Sequence, residues 1–321
     1  MKTCHVIIGG TYFTEPVGLS SPTESAFFKH STISQVDIID PDTICNRGSV
    51  ESKGDAAFIF GIKHWVRRMR KKRMQAKETV NHICSFIEKS FGKSMPIGML
   101  DDLEIRSGSG VSGRLSSKLL SDFNCQIYLL REYLRGKKYH KRVRSFAQSS
   151  ISRLEMAQDP MGKKRDLYFR GDDSSKERQQ LIKAASRIDG ISKKLKVYKG
   201  GARAKDKLSP DEFFKQMAES KICLNVMGNG YSCFRYQEIP SVGSILATRN
   251  YPLVIEDDYV DMESCIKFDD VFELGSKVKE ALQSEHRVAE MTERCKEHFS
   301  RYHTTEQRSK DLMEHISCLL T

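Results

Sequence analysis

The chain is 321 residues long, with 39% hydrophobic residues, 9% aromatics and a formal net charge of +11. Two domains with real hydrophobic cores are expected at that length and composition. No apolar run reaches the ~18–20 residues of a membrane span, and the first residues lack the long apolar stretch of a secretory leader. The nine cysteines are scattered, with no CxxC pair, which argues for reduced thiols in the cytoplasm and against a zinc site or a disulfide framework.

The first strand is predicted over 4–8, closing on Gly9-Gly10, and further buried strands over 34–39 and 56–62. Residues 63–91 read as one long helix, because Val66, Met69, Met74, Val80, Ile83, Cys84 and Ile87 recur at near-helical spacing. A short strand over 95–100 runs into the acidic loop 101–104, and SGSGVSG (107–113) is a loop by composition. Residues 125–134 read as strand, then helix. Asp159-Pro160-Met161-Gly162 marks a linker turn, which sets the domains at 1–160 and 161–321.

Beyond that turn, the run DLYFRG (166–171) repeats the style of the N-terminus. A helix over 176–188 follows, capped by Asp173 or Ser174. Then come a strand over 195–201, a helix opening at Ser209-Pro210, and strands over 222–227, 243–249 and 265–270. The tail 271–319 is mostly helical, with a break at Thr304-Thr305. Alternating strands and helices in both halves predict an α/β protein of two Rossmann-like domains whose parallel sheets face a cleft.

The charge is uneven. Residues 1–160 hold 25 Lys/Arg against 16 Asp/Glu, whereas 161–321 hold 28 against 26. The first half is therefore expected to meet an anionic partner. Residues 63–77 carry eight Lys/Arg and no acid, and 131–144 carry seven with only Glu132 against them. On the first run, Lys63, Arg67, Arg68, Arg70 and Lys71 are the candidate acceptor contacts. A basic amphipathic helix suits an anionic membrane surface or a nucleic-acid backbone; a merely solvated helix face is the plain alternative.

The stretch 220–250, SKICLNVMGNGYSCFRYQEIPSVGSILATRN, holds the clearest chemistry. A strand ending in Gly228-Asn229-Gly230 lets backbone approach a ligand closely. Ser232 is a natural N-cap for the next helix, whose free N–H groups and dipole favour phosphate. Arg235 adds a charge-assisted bond, and Glu238, on the same face, can accept two ribose hydroxyls. The plain alternative is an ordinary glycine turn with Arg235 and Glu238 as an ion pair.

The second half resembles glycosyltransferases of the GT-B fold, especially the group-1 and spore-maturation-protein-like members. KRDLYFRGDDSSKER is similar to the family's opening strand, glycine, loop and helix. SPDEFFKQMAESKICLNVMGNG, FRYQEIPSVGSILAT and FDDVFELGSKVKEAL resemble its later segments, in the same order over roughly 164–310. The resemblance implies that Glu238 binds the donor ribose. It puts Gly228, Gly230, Tyr231, Ser232 and Arg235 at the diphosphate, and Arg170 and Gly171 on the cleft wall. It also puts the loop of Gly9, Gly10 and Thr11 near the transferred sugar. Two departures stand out. Pro240 ends or kinks its helix early, and the second acid of retaining enzymes is missing, with Gly230 or Tyr231 near its place, so stereochemistry stays open.

For a general base, Asp101, Asp102 and His64 are the candidates. The two aspartates are adjacent and point different ways, so at most one acts. Asp40-Pro41-Asp42 has the letters of a metal motif but looks like a strand-end turn, so no metal is expected, and no tightly bound cofactor. The expected function is a cytoplasmic glycosyltransferase, peripheral at a membrane if its acceptor is there. It would move sugar from a nucleotide-diphosphate sugar to a hydroxyl of an anionic acceptor. That acceptor is an envelope glycan or lipid, or a hydroxylated base in nucleic acid. The rival is a non-catalytic nucleic-acid-binding protein on a degenerate Rossmann pair.

Overall fold

The computed structural model describes residues 4–9, 36–39, 48–51, 54–103, 110–199 and 206–321. The chain divides into two compact units. One comprises Met1–Ala147, Leu253–Glu256 and Arg308–Thr321; the other comprises Gln148–Pro252 and Asp257–Gln307.

The first unit holds strands β1 (Cys4–Gly9), β2 (Val36–Ile39), β3 (Ala56–Phe60), β4 (Ile97–Asp101), β5 (Cys125–Leu130) and β6 (Val143–Ser145). They form one parallel sheet in the order β2-β1-β3-β4-β5-β6. The unbroken apolar run of β3 follows from burial on both faces. Ala57 and Ile59 pack with Trp65, Val80, Ile83 and Leu115, which belong to helices α1 (Ile62–Lys71), α2 (Ala76–Phe91) and α3 (Val111–Asp122). Ala56, Phe58 and Phe60 pack with Leu312 and Ile316 of the last helix.

Three sequence expectations fail in this unit, one of them the loop over 107–113, since α3 already begins at Val111. Residues 63–91 are not one helix: α1 stops at Lys71, and Arg73 takes a left-handed conformation with φ 60°. Gln75 and Glu78 then restart the chain with a capping box. Apolar spacing alone hid the break, because Met69 and Val80 stay on the buried side of both helices. Residues 125–134 are strand only to Leu130, and a turn follows in place of a helix.

The second unit holds β7 (Arg165–Asp172), β8 (Lys193–Tyr198), β9 (Ser220–Asn225), β10 (Ile245–Arg249) and β11 (Cys265–Phe268). These are parallel in the order β11-β10-β9-β7-β8. Its helices are α4 (Lys176–Ala185), α5 (Pro210–Ala218), α6 (Arg235–Ser241), α7 (Val271–Ala281) and α8 (Glu285–Tyr302). Helix α9 (Thr305–Ser317) closes the chain. The expected break at Thr304-Thr305 falls between α8 and α9, and a second one precedes α8, where the Ser284 hydroxyl accepts the Arg287 N–H. From β7 the chain moves outward to β8, then returns past β7 to β9. The carboxyl ends of β7 and β9 are thus the switch point, the place where open parallel sheets bind ligands. Among the described residues no helix is long and apolar enough to cross a membrane.

Candidate functional site

At the carboxyl end of β7 stand Arg170, Gly171 and Asp172; after β9 comes the loop from Val226 to Phe234. Arg178, on the first turn of α4, joins the two. Its Nη1 donates to the backbone carbonyl and carboxylate of Asp172, and its Nη2 donates to the Val226 carbonyl at 2.9 Å. Ser175 supports it by capping α4: the Ser175 hydroxyl accepts the Arg178 N–H and donates to the Met227 carbonyl at 2.9 Å. On the other side, Arg235 Nη2 donates to the Arg170 carbonyl at 2.9 Å, and its guanidinium lies 5.2 Å from the centre of the Phe169 ring. The Arg170 guanidinium donates to the Asp206 carbonyl.

Two glycines make room for this cluster. A Cβ on Gly171 would sit 2.9 Å from Arg235 Nη2, and one on Gly228 would sit 2.8 Å from Arg178 Nη2. Two guanidiniums, those of Arg178 and Arg235, therefore lie close together, with the Asp172 carboxylate bonded to the first. Burial first, and then the neighbouring charge of Arg235, pull the pKa of Arg178 below its usual value. The Nε atoms of Arg170, Arg178 and Arg235 and the hydroxyl of Ser174 are buried without a hydrogen-bond partner among the described residues. Unpaired buried donors are costly, and an anion is the kind of group that would satisfy them.

Glu238 stands one turn along from Arg235 and is half-buried. Burial raises its carboxyl above the usual range, while Arg235 and Arg153 oppose that shift. Among the described residues its carboxylate has no hydrogen-bond partner. The geometry leaves it able to accept hydroxyls. Tyr231 is half-buried with its ring 5.2 Å from that of Tyr251, and Gly230 is buried in the loop.

Ser232 does not cap α6. Its hydroxyl donates to Gln148 Oε1 at 3.2 Å, and the residue preceding the helix, Phe234, is itself helical. The N–H groups of Tyr236, Gln237 and Glu238 bond back to Cys233 and Phe234, so the guanidiniums rather than a helix end supply the positive charge. Pro240 lies inside α6, one residue before its end. The sequence marks neither Arg178 nor Ser174 as a site residue, and the cap of α4 is Ser175 rather than Asp173 or Ser174. Moving the α4 cap from Asp173 or Ser174 to Ser175 would have marked Arg178 as the residue turned back onto the site.

In the first unit, Asp101 and Asp102 separate. Asp101 is fully buried: Tyr128 donates to its Oδ2 at 2.5 Å and the Leu103 N–H to its Oδ1 at 3.0 Å. Burial pushes its pKa up to about 6. Asp102 accepts the Lys63 N–H on Oδ1 at 2.9 Å, while its Oδ2 is buried without a partner. A cavity of about 210 Å³ near the ends of β4 and β5 is lined by Leu103, Ser112, Ser116, Glu132, Lys137 and Tyr139 among others. Lys63 is buried, Arg68 is half-exposed, and Arg67, Arg70 and Lys71 are exposed. The Lys63 side chain is therefore no surface contact. Gly9 closes β1; Gly10, Thr11 and the side chain of His64 lie outside the described residues. Among the described residues no cluster of three His, Cys, Asp or Glu is arranged to hold a metal.

Residues 176–314 match the family model described as "Glycosyl transferase-like". That segment contains Arg178, the glycine loop and Glu238. No curated protein matches the chain in sequence. Among solved structures, an alpha-glucosyltransferase in complex with UDP and a 13-mer DNA containing a HMU base has a TM-score of 0.57 at 10% identity, covering 99% of this chain and 100% of that one. Anabaena HepE in complex with UDP and glucose has a TM-score of 0.60 at 9% identity, covering 98% and 100%. The N-terminal domain of Candida albicans trehalose-6-phosphate phosphatase has a TM-score of 0.58 at 8% identity, covering 100% and 97%. Residues 176–314 thus match a glycosyl transferase-like family model, within a chain whose two parallel sheets have the GT-B fold.

Proposed function

We propose that this chain transfers a sugar from a nucleotide-diphosphate sugar to a hydroxyl of an anionic acceptor. The observation that carries this reading is the pair of Arg178 and Arg235 at Gly228 and Gly171, beside the half-buried Glu238. In it, Arg178 and Arg235 bind the diphosphate and Glu238 accepts the ribose hydroxyls. The acceptor oxygen attacks the anomeric carbon as the bond from that carbon to the phosphate oxygen breaks. Charge developing on the departing diphosphate is stabilised by guanidiniums already in place. Asp102 is the proposed general base, because among the described residues its Oδ2 is the one carboxylate oxygen of the aspartate pair without a partner.

For the acceptor, a nucleic acid is the reading we favour. The charge excess of residues 1–160 supports it, as does a solved structure of the same fold that contains DNA. An envelope glycan at a membrane is the second reading. A hydrolysis panel over UDP-, GDP- and ADP-sugars tests the activity. Hydrolysis of one donor class, lost in Glu238→Ala, is expected. No hydrolysis and no thermal shift with any donor would instead favour a non-catalytic nucleic-acid-binding protein.

A further inference from the structure

We propose that the turn joining α1 to α2 docks the phosphate backbone of a nucleic acid. The proposal rests on the reading above only in taking that nucleic acid as the acceptor. The surface itself is built from the first unit alone.

Arg67, Arg70, Lys71, Lys72, Arg73 and Lys77 are all exposed, and none makes an ion pair among the described residues. The neighbouring acid, Glu78, is already engaged: its Oε2 accepts the Gln75 N–H at 2.7 Å. Part of this charge has a local explanation, since cations in the last turn of α1 complement the helix dipole. Arg73 does not. The Met74 N–H bonds to the Met69 carbonyl at 3.1 Å and the Arg73 N–H to the Arg70 carbonyl at 2.8 Å. That pair of bonds is a Schellman close with Arg73 at the left-handed position, φ 60°, where glycine is the unstrained residue. Strain kept at an exposed tip, on a residue that adds charge to five other free cations, marks a side chain in use.

The surface fits a phosphate backbone better than a bilayer. A helix that lies in a membrane interface needs an apolar face for the acyl region. The apolar side of α1, with Ile62, Trp65, Val66 and Met69, is consumed by the core. The exposed large hydrophobics among the described residues are Ile151, Met161, Val260 and Phe272, none of them on α1 or α2. A phosphate backbone requires only cations and donors, which this turn has.

Anisotropy of a labelled DNA duplex, titrated across salt without any donor, tests the dock. Wild-type affinity should fall with salt at a slope of about 0.9 per phosphate neutralised. The triple variant Arg70→Gln/Lys71→Gln/Arg73→Gln should flatten that slope by about 2–3 and weaken binding at least ~10-fold at ~0.1 M salt. Arg73→Gly should flatten it by about 1 with the melting temperature unchanged or raised, because glycine relieves the turn. Phosphatidylserine vesicles run in parallel. Duplex binding untouched by the triple variant overturns the proposal, as does vesicle binding that is lost in it while duplex binding is kept. A UDP-induced thermal shift is recorded on the same samples: its absence with duplex binding intact counts against the donor reading and not against the dock.

Discussion

Arg178 and Gly228 compete for one space: the guanidinium Nη2 lies 2.8 Å from where a Cβ on Gly228 would stand. The arginine is buried and fixed by Val226 and Asp172. It cannot step aside without breaking the link between β7 and the loop after β9.

Gly228→Ala should therefore displace the guanidinium. We expect folding to survive at a cost of about 1–3 kcal/mol, with UDP affinity reduced at least ~10-fold. Calorimetric titration alongside a melting curve separates the two effects.

Glu238→Gln should have opposite effects on stability and binding. The folded carboxyl is raised by burial. Its contribution to stability is thus fully present below the unfolded pKa and is lost as pH rises through the folded one. Above the unfolded pKa the carboxyl therefore lowers the stability of the fold. The neutral amide should raise the melting temperature by about 1–4 °C while abolishing the shift produced by a sugar nucleotide. Melting curves with and without UDP read both.

Lys163 gives a second pH signature, outside the site. Its buried ammonium donates to the carbonyls of Ser220 and Gly243 and to the Ser244 hydroxyl, with no carboxylate bonded to it among the described residues, and burial lowers its pKa to about 8. Between that value and its ordinary 10.5 the unfolded chain binds more protons than the folded one, so stability rises with pH there. Urea titrations of wild type against Lys163→Met should diverge by about 1–3 kcal/mol from pH 8 to about pH 10. Parallel curves would refute this.

Gly98 is held by packing rather than by backbone angle. A Cβ there would sit 2.5 Å from the Phe58 ring. Gly98→Ala should cost about 1–3 kcal/mol, and Phe58→Leu in the same chain should recover part of it. Denaturant midpoints of the three variants measure the coupling.

The sheets were legible because parallel strands buried on both faces leave unbroken runs such as AAFIF in β3 and SKICLN in β9. The loop and Glu238 were legible because glycines, a cation and an acid fall in a short order along the chain. The rest depended on distance in space. Arg178 lies 48 residues from the carbonyl it meets, that of Val226. The break at Arg73 was hidden by using a residue where glycine is expected. Ser232 has the cap's letter, but the chain turns helical two residues later and sends its hydroxyl to Gln148.

The most direct test of the account is calorimetric titration of UDP, GDP and ADP, each beside its nucleoside, into wild type and Arg235→Gln. One diphosphate should bind at least ~10-fold more tightly than its nucleoside, and Arg235→Gln should erase that difference, since the role proposed for the guanidinium is to meet the phosphates and not the base. A nucleoside that binds as tightly as its diphosphate, or an Arg235→Gln chain that keeps the full preference, would contradict the claim that the β7–β9 switch point holds a sugar-nucleotide diphosphate.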